Sequence, residues 1–244
     1  LAAAVPQPHT ALALALPLDR LDVAHGDQRI AVVFAPHGPG TQWLAGARPG
    51  DTINVVAPLG TPFSLPKQPM GAVLVAGGYG AAPMGMVARA LRERGCRVAA
   101  VLGAASHDRL FGVSDLTGDV DVLTVTTDDG TLGLRGRVTD ALPAAIAEVD
   151  AQIVYACGPM PMLRAVAGLA ADHGVVSQCA VEESMACGIG VCMTCVLPVV
   201  GDDGVTRMVR SCTEGPVFRG DRVRWDDVHT VPGDTWGAPA PGGH

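Results

Sequence analysis

Four cysteines near the carboxyl-terminal end constrain this chain more than any other feature. Cys187-x4-Cys192-x2-Cys195 is followed by Cys212 after a short intervening segment. Three thiolates this close in sequence converge only when their loop wraps around a common centre, and two glycines inside the first gap permit the unusual φ values of such a wrap. This order of spacings is typical of cysteines that hold a [2Fe–2S] cluster. The sequence therefore predicts an iron–sulfur protein that passes electrons.

Two other interpretations of the cysteines stay open. Tetrahedral zinc sites usually pair their ligands in C-x2–4-C knuckles, and only Cys192 and Cys195 form such a pair. Disulfides or free thiols are the third possibility. The stretch Leu1–Leu18 lacks the basic start of a signal peptide, so metal or redox use is favoured over disulfides. No initiator methionine is present, and we expect a processed, incomplete or unusually short start.

Composition and charge exclude two classes of partner. The formal net charge is −7 and Lys67 is the only lysine, whereas binding to nucleic acid needs clustered basic side chains. No apolar run approaches the ~20 residues of a membrane span. Hydrophobic residues make up 48% of the chain and charged residues 17%, which fits compact folding. We expect a cytoplasmic protein that binds no nucleic acid.

The pattern of the chain divides it into three regions and a tail. The predicted fold class is α/β plus β: a β-barrel, possibly incomplete at its amino terminus, a Rossmann-like parallel α/β domain, and a small cluster domain. Strand-like segments Ile30–Ala35 and Thr52–Ala57 indicate the barrel, and the proline-rich Ser64–Pro69 indicates a linker. The predicted boundaries are 1–69, 70–174 and 175–229, followed by a Pro/Gly-rich tail, 230–244, without fixed structure.

The middle region alternates short apolar runs with helical stretches, which predicts a parallel sheet with crossover helices. A hairpin is expected at Val199–Val209 in the third region. The predicted strands of the middle region are Ala72–Ala76, Arg97–Leu102, Val120–Val125 and Gln152–Tyr155, and its predicted helices are Pro83–Arg94, Ala141–Val149 and Pro161–His173.

Two loops rich in small residues each follow a strand and open a helix. Ligands of open parallel sheets bind at the carboxyl ends of strands, where small residues let the backbone approach a pyrophosphate. A tight turn without a ligand would look similar, and Cys157 could be a packed core thiol. The candidate nucleotide contacts are Gly77, Gly78, Gly80, Ala81 and Pro83 in the first loop, and Cys157, Gly158, Pro159 and Met160 in the second.

The cysteine segment resembles one family closely. Glu182–Cys195 and Arg210–Phe218 are similar to the electron transfer subunit of class 1B dihydroorotate dehydrogenase, within the ferredoxin-reductase superfamily. The two small-residue loops resemble that family's nicotinamide-binding loops. Gly40–Leu44 and Ala57–Phe63 resemble the end of its flavin-binding barrel. The resemblance covers most of the chain and is looser before Ile30.

The resemblance implies FAD on the barrel, NAD(H) on the α/β domain and a [2Fe–2S] cluster on Cys187, Cys192, Cys195 and Cys212. The flavin contacts that it implies are Pro17, Leu18, Val33, Phe34, Gly40 and Thr41. Leu16 and Asp19 replace the family's arginine and serine, and Ala35 replaces a second basic residue. These departures weaken the case for FAD, because arginine would pair with phosphate and Asp19 would repel it.

The implied activity is an electron relay without a catalytic residue of its own. Electrons would pass between NAD(H) and a separate FMN-containing dihydroorotate dehydrogenase subunit in a heterotetramer of pyrimidine biosynthesis. One alternative is an electron-transfer module of another oxidoreductase complex, of hydrogenase or sulfur-metabolism type. A second alternative is a non-enzymatic module that binds zinc or a redox-sensing cluster.

Overall fold

A computed structural model describes residues 32–36, 38–56 and 58–238. Its strands are β1 (Gly71–Gly77), β2 (Arg97–Ala104), β3 (Val122–Thr127), β4 (Leu134–Arg135), β5 (Ala151–Cys157), β6 (Val176–Ala180), β7 (Val196–Val200), β8 (Thr206–Arg210) and β9 (Val217–Arg219). Its α-helices are α1 (Pro39–Ala45), α2 (Met84–Arg92), α3 (Val113–Leu116), α4 (Val138–Val149) and α5 (Met160–Asp172). Short 3-10 segments span Gly78–Ala81, His107–Arg109 and Trp225–Asp227.

Seven strands form one sheet in the order β4-β3-β2-β1-β5-β6-β9. All neighbours are parallel except β9, which runs antiparallel to β6. Strand β1 reads as a continuous apolar run because helices cover both of its faces. Val73 and Val75 face a core shared with α4 and α5, while Leu74 and Ala76 face the core beside α2. The predicted parallel α/β domain is therefore confirmed.

The third region is tied to this sheet. The predicted hairpin is confirmed: β7 and β8 are antiparallel, with Val196 opposite Arg210. Strand β6 pairs with β5, so the sheet continues beyond the boundary predicted at residue 175. Strand β9 follows the last cysteine and forms the sheet's edge. Its three residues are too few to show a period in the sequence.

The barrel strands predicted before β1 do not form in the described residues. Residues 32–35 and 52–56 have no regular strand, and the described chain before Gly71 contains α1 and an isolated bridge between Thr61 and Pro216. An alternating segment becomes a strand only where a neighbour completes its hydrogen-bond ladder, and sequence pattern does not supply that neighbour. Segment Ser64–Pro69 reaches β1 without helix or strand, as its prolines predict.

The tail was predicted to lack structure, but its described part makes specific contacts. Trp236 donates its backbone N–H to the Thr206 carbonyl at 2.8 Å, and Arg224 bonds Asp234 at 2.5 Å. These contacts join residues 230–238 to the hairpin, whereas 239–244 lie outside the described residues. The composition of the tail could not predict these contacts, because the residues that it contacts lie in other segments of the chain. Within the described ranges, no helix is long and apolar enough to cross a membrane.

Candidate iron–sulfur and nucleotide sites

The hairpin brings the last two cysteines together. Cys195 immediately precedes β7 and Cys212 follows β8 by two residues. Since Val196 pairs with Arg210, the backbone N–H of Ser211 reaches the Cys195 carbonyl at 2.9 Å. Both thiols are buried, with 1% of Cys195 and 4% of Cys212 exposed. Their side chains are within hydrogen-bond reach of one another.

The first two cysteines form a second pair at the surface. Cys187 is half-buried, Cys192 is exposed, and their thiols are also within hydrogen-bond reach. The charge of Cys187 acts on Cys212, so the two pairs are close. All four thiols are free, as a cluster requires. Among the described residues, no three His, Cys, Asp or Glu side chains are already arranged around a metal ion.

The loop between the pairs supplies donors to sulfur. Backbone N–H groups of Cys192 and Ile189 lower the pKa of the Cys187 thiol to about 6. The Thr194 hydroxyl donates to the Cys192 Sγ at 2.9 Å and lowers the pKa of that thiol. Such donors stabilise thiolates, the form in which cysteine binds iron. The loop can turn its amides inward because Gly188 and Gly190 have φ of 71° and 79°.

Burial has the opposite effect on the Cys212 thiol, whose pKa it raises to about 11. A buried thiol gives up its proton when a metal takes the proton's place. Two neighbouring pairs of free thiols, one of them ringed by amide donors, fit a two-iron cluster with one pair on each iron.

The two small-residue loops lie side by side at one edge of the sheet. Strands β1 and β5 are parallel neighbours, and Ala76 is opposite Cys157 at their carboxyl ends. A Cβ on Gly80 would lie 2.1 Å from the Cys157 carbonyl oxygen, and one on Gly77 would lie 2.7 Å from the Met162 Sδ. Gly80 is therefore needed for the loops to pack against each other, because its obstacle is backbone, whereas the obstacle at Gly77 is the end of a flexible side chain.

Gly78 differs from its neighbours. It has φ of +55°, and nothing lies within 4 Å of where its Cβ would be. An open, left-handed glycine at the start of a helical segment is the position at which a phosphate group can approach the backbone. Ala81 is buried, Pro83 precedes α2, and Met160 opens α5 behind Pro159. Both helices thus begin at this edge.

Cys157 lies at the carboxyl end of β5, within electrostatic reach of Glu182. Burial raises its pKa to about 12, and the Glu182 carboxylate adds to the effect. Glu182 follows β6 and begins the segment that leads to Cys187. The nucleotide edge is therefore close to the start of the segment that leads into the cysteine loop.

Two family models match the regions that carry these sites. Residues 182–224 match the iron–sulfur cluster binding domain of dihydroorotate dehydrogenase B, and residues 74–168 match the oxidoreductase NAD-binding domain. The electron transfer subunit of dihydroorotate dehydrogenase B (NAD(+)) from Bacillus caldolyticus is 39% identical over 85% of this chain and 79% of its own length. The chain belongs to the family of these electron transfer subunits. The member from Desulforamulus reducens is 32% identical over 81% of this chain and 75% of its own.

A solved relative of this electron transfer family agrees with the fold. The structure of an NADH-dependent reduced ferredoxin–NADP oxidoreductase, described in terms of flavin-based electron bifurcation, is 36% identical. It has a TM-score of 0.67 and matches 79% of this chain and 67% of its own. The resemblance to a class 1B electron transfer subunit, and the ferredoxin-reductase-like fold, are confirmed.

The flavin contacts expected from the family are only partly described. Gly40 and Thr41 lie in the first turn of α1, where the Thr41 hydroxyl accepts the Gly38 N–H at 3.1 Å. Val33 and Phe34 are half-buried. Pro17 and Leu18 lie outside the described residues, as do Leu16 and Asp19.

Sequence reasoning missed a brace across the cysteine loop. Arg210 forms an ion pair with Glu214 at 2.5 Å and donates to the Gly190 carbonyl at 3.2 Å. The brace ties the loop to the turn that carries Cys212. Its signal was the opposite charges four residues apart on either side of this cysteine.

Proposed function

We propose that this chain relays electrons between NAD(H), FAD and a [2Fe–2S] cluster, and a separate FMN-containing dihydroorotate dehydrogenase subunit of pyrimidine biosynthesis. The observation that carries the proposal is the pairing of Cys187 with Cys192 and of Cys195 with Cys212. The segment that leads to Cys187 begins near the proposed nucleotide edge, where Glu182 acts on Cys157. The relatives' name, electron transfer subunit of dihydroorotate dehydrogenase B (NAD(+)), supports the partner and the nucleotide.

Each thiol pair would hold one iron of the cluster. The cluster, when bound, takes up and releases single electrons. The chain contributes amide donors around Cys187, the Thr194 hydroxyl at Cys192, and burial around Cys195 and Cys212. Hydrogen-bond donors stabilise negative charge on the cysteine sulfurs, whereas burial away from water destabilises it. The balance of the two effects would set the reduction potential of the cluster.

The nucleotide binds at the carboxyl edge of β1 and β5. Gly78 offers an open backbone to the pyrophosphate, and the amino ends of α2 and α5 favour its charge. Cys157 stays a neutral thiol there, so it places no negative charge beside the nucleotide. The remaining proposed contacts are Gly77, Gly80, Ala81, Pro83, Gly158, Pro159 and Met160.

FAD is assigned to the region before β1. Trp43 is 38% exposed and Val55 is 67% exposed, so this region presents apolar surface that a flat aromatic group can cover. The proposed contacts among described residues are Val33, Phe34, Gly40 and Thr41. Ala35 supplies no charge for the phosphates, which makes FAD content the sharpest measurement on this region.

The partner subunit docks on the exposed part of the cysteine loop. Ile189, Val191 and Met193 are 53%, 72% and 52% exposed around Cys192. Apolar side chains gathered on a surface loop are typical of an interface. We place the heterotetramer in the cytoplasm, because reducing conditions keep unpaired cysteines such as these as thiols.

The test is purification of the native complex, with FAD, FMN, iron and acid-labile sulfide measured together. We expect all four, together with dihydroorotate-dependent reduction of NAD⁺. A colourless protein that contains stoichiometric zinc would contradict the cluster. A full cluster without FAD would contradict direct electron exchange with NADH, because a hydride needs a two-electron acceptor.

A second candidate is an electron-transfer module of a different complex. The 36% identity with the NADH-dependent reduced ferredoxin–NADP oxidoreductase favours it. The copurifying subunit decides between the two. A partner that lacks FMN and does not oxidise dihydroorotate would support the second candidate and overturn the first.

A further inference from the structure

The segment Gly60–Ser64, called here the connecting segment, touches the turn that carries the fourth cysteine. The Thr61 backbone N–H donates to the Gly215 carbonyl at 2.5 Å, and Val217 returns an N–H to the Thr61 carbonyl at 3.4 Å. Gly215 is three residues beyond Cys212. Residues remote in sequence are thereby hydrogen-bonded beside a proposed cluster ligand.

Gly60 is fitted closely against this turn. Its φ is +74°, and an added Cβ would lie 2.4 Å from the Gly215 carbonyl oxygen and 3.3 Å from the Cys212 carbonyl oxygen. The obstacles are backbone atoms, which cannot rotate away as a side chain can. Any other residue at this position would push the turn and the connecting segment apart.

The other end of the connecting segment is anchored on the sheet. Phe63 is 2% exposed and meets the Tyr155 ring edge-on, with centroids 5.4 Å apart. The Gln178 amide bonds both the N–H and the carbonyl of Ser64 at 2.8 Å, and the Tyr155 hydroxyl donates to the same carbonyl at 3.0 Å.

The residues that anchor Ser64 belong to the central sheet. Tyr155 and Gln178 are register partners on β5 and β6. Tyr155 also lies two residues before Cys157 at the proposed nucleotide edge. The connecting segment therefore spans from the sheet edge to the turn after Cys212.

We propose that Gly60 and Thr61 position Cys212 relative to the nucleotide edge, and that the connecting segment fixes the geometry of the fourth thiolate. Gly60 is a positioning residue, since it acts on the ligand through the backbone of the 212–216 turn. The inference rests on the proposed cluster. Groups that contact the metal ligands, but not the metal itself, affect both metal retention and reduction potential. A positioning effect of Gly60 can therefore be measured without enzyme turnover.

The first test compares Gly60→Ala with Gly204→Ala in the full chain. Gly204 is a matched control, because its φ is +76° and nothing lies within 4 Å of its Cβ position. We expect Gly60→Ala to release iron to a chelator about 10-fold faster than wild type. We also expect changed g values of the reduced cluster and a shifted midpoint potential. Gly204→Ala should match wild type in all three measurements.

A second pair of variants keeps the inference testable if Gly60→Ala folds poorly. Thr61→Pro removes the N–H that bonds Gly215, whereas Thr61→Val keeps that N–H and changes only an exposed side chain. We expect the spectral and potential changes in Thr61→Pro alone. Loaded Gly60→Ala and Thr61→Pro that both match their controls would overturn the inference and leave the proposed function standing. A wild-type protein without iron and sulfide would instead overturn the proposed function.

Discussion

Replacing Gly80 by alanine should impair the reaction with NADH without changing the cluster. The added Cβ would lie 2.1 Å from the Cys157 carbonyl oxygen and 2.5 Å from its carbonyl carbon. Ordinary contacts begin near 3.4 Å, so the two loops must part by more than 1 Å. Displacements of about 1 Å at a binding site cost about 100-fold in rate. Overpacking of this kind also destabilises proteins by about 1–3 kcal/mol.

The assay is reduction of an artificial acceptor by NADH, measured as kcat/KM on protein that contains both FAD and the cluster. We expect a loss of about 100-fold for Gly80→Ala. The reduced-cluster g values should stay at wild type, because the substitution touches the loop at Cys157 and not the cysteine loop. Gly168→Ala is the matched control, since its added Cβ meets nothing within 4 Å and its φ is not positive.

One outcome would refute this reasoning. A folded Gly80→Ala protein with kcat/KM within a factor of about two of Gly168→Ala would mean that loop packing does not shape the nucleotide site. Urea unfolding of both variants shows whether a lost activity is a lost fold, because global unfolding would also abolish the cluster spectrum.

Three further predictions concern anchoring and reactivity. Phe63→Ala should lower the free energy of urea unfolding by about 3–5 kcal/mol, since the ring is 2% exposed, and an effect below about 1 kcal/mol would contradict its place in the core. Arg210→Ala should leave the free energy of unfolding close to the wild-type value in the same assay, because the ion pair with Glu214 is 39% exposed on both sides, but iron release should become faster. Burial raises the pKa of Cys157 to about 12, so its reactive thiolate is scarce at pH 8 and increases as the pH approaches that value. Mass spectrometry after iodoacetamide treatment should find Cys157 unmodified in native protein at pH 8, and rapid labelling there would contradict its burial.

Local sequence signals predicted the middle of the fold well. Strand β1 appears as a short apolar run followed by glycines, and its loop and the one after β5 were both placed at the same sheet edge. These elements are set by burial and turn chemistry that neighbouring residues carry themselves. The two-residue strand β4 was not predicted, because so short a strand carries no local pattern of its own.

The spacing of the cysteines is more informative about the site than their number is. It predicted four ligands, and the structure groups them as Cys187 with Cys192 and Cys195 with Cys212. Spacing could not predict that the first pair is exposed while the second is buried. That difference comes from the hairpin, whose register places Cys195 against the turn at Ser211.

The connecting segment shows where sequence patterns stop being informative. In the sequence Gly60 is one of 31 glycines, and its contact Gly215 is more than 150 residues away. Both ends of the contact are backbone atoms, so neither leaves a mark in side-chain type except the absence of a Cβ. A glycine required by a remote carbonyl is indistinguishable in sequence from one required by a local turn. Only the folded chain reveals that Gly60 lies against the turn that follows Cys212. Spacing alone can therefore propose the cysteines as ligands, but it cannot indicate the remote contact that we propose to position one of them.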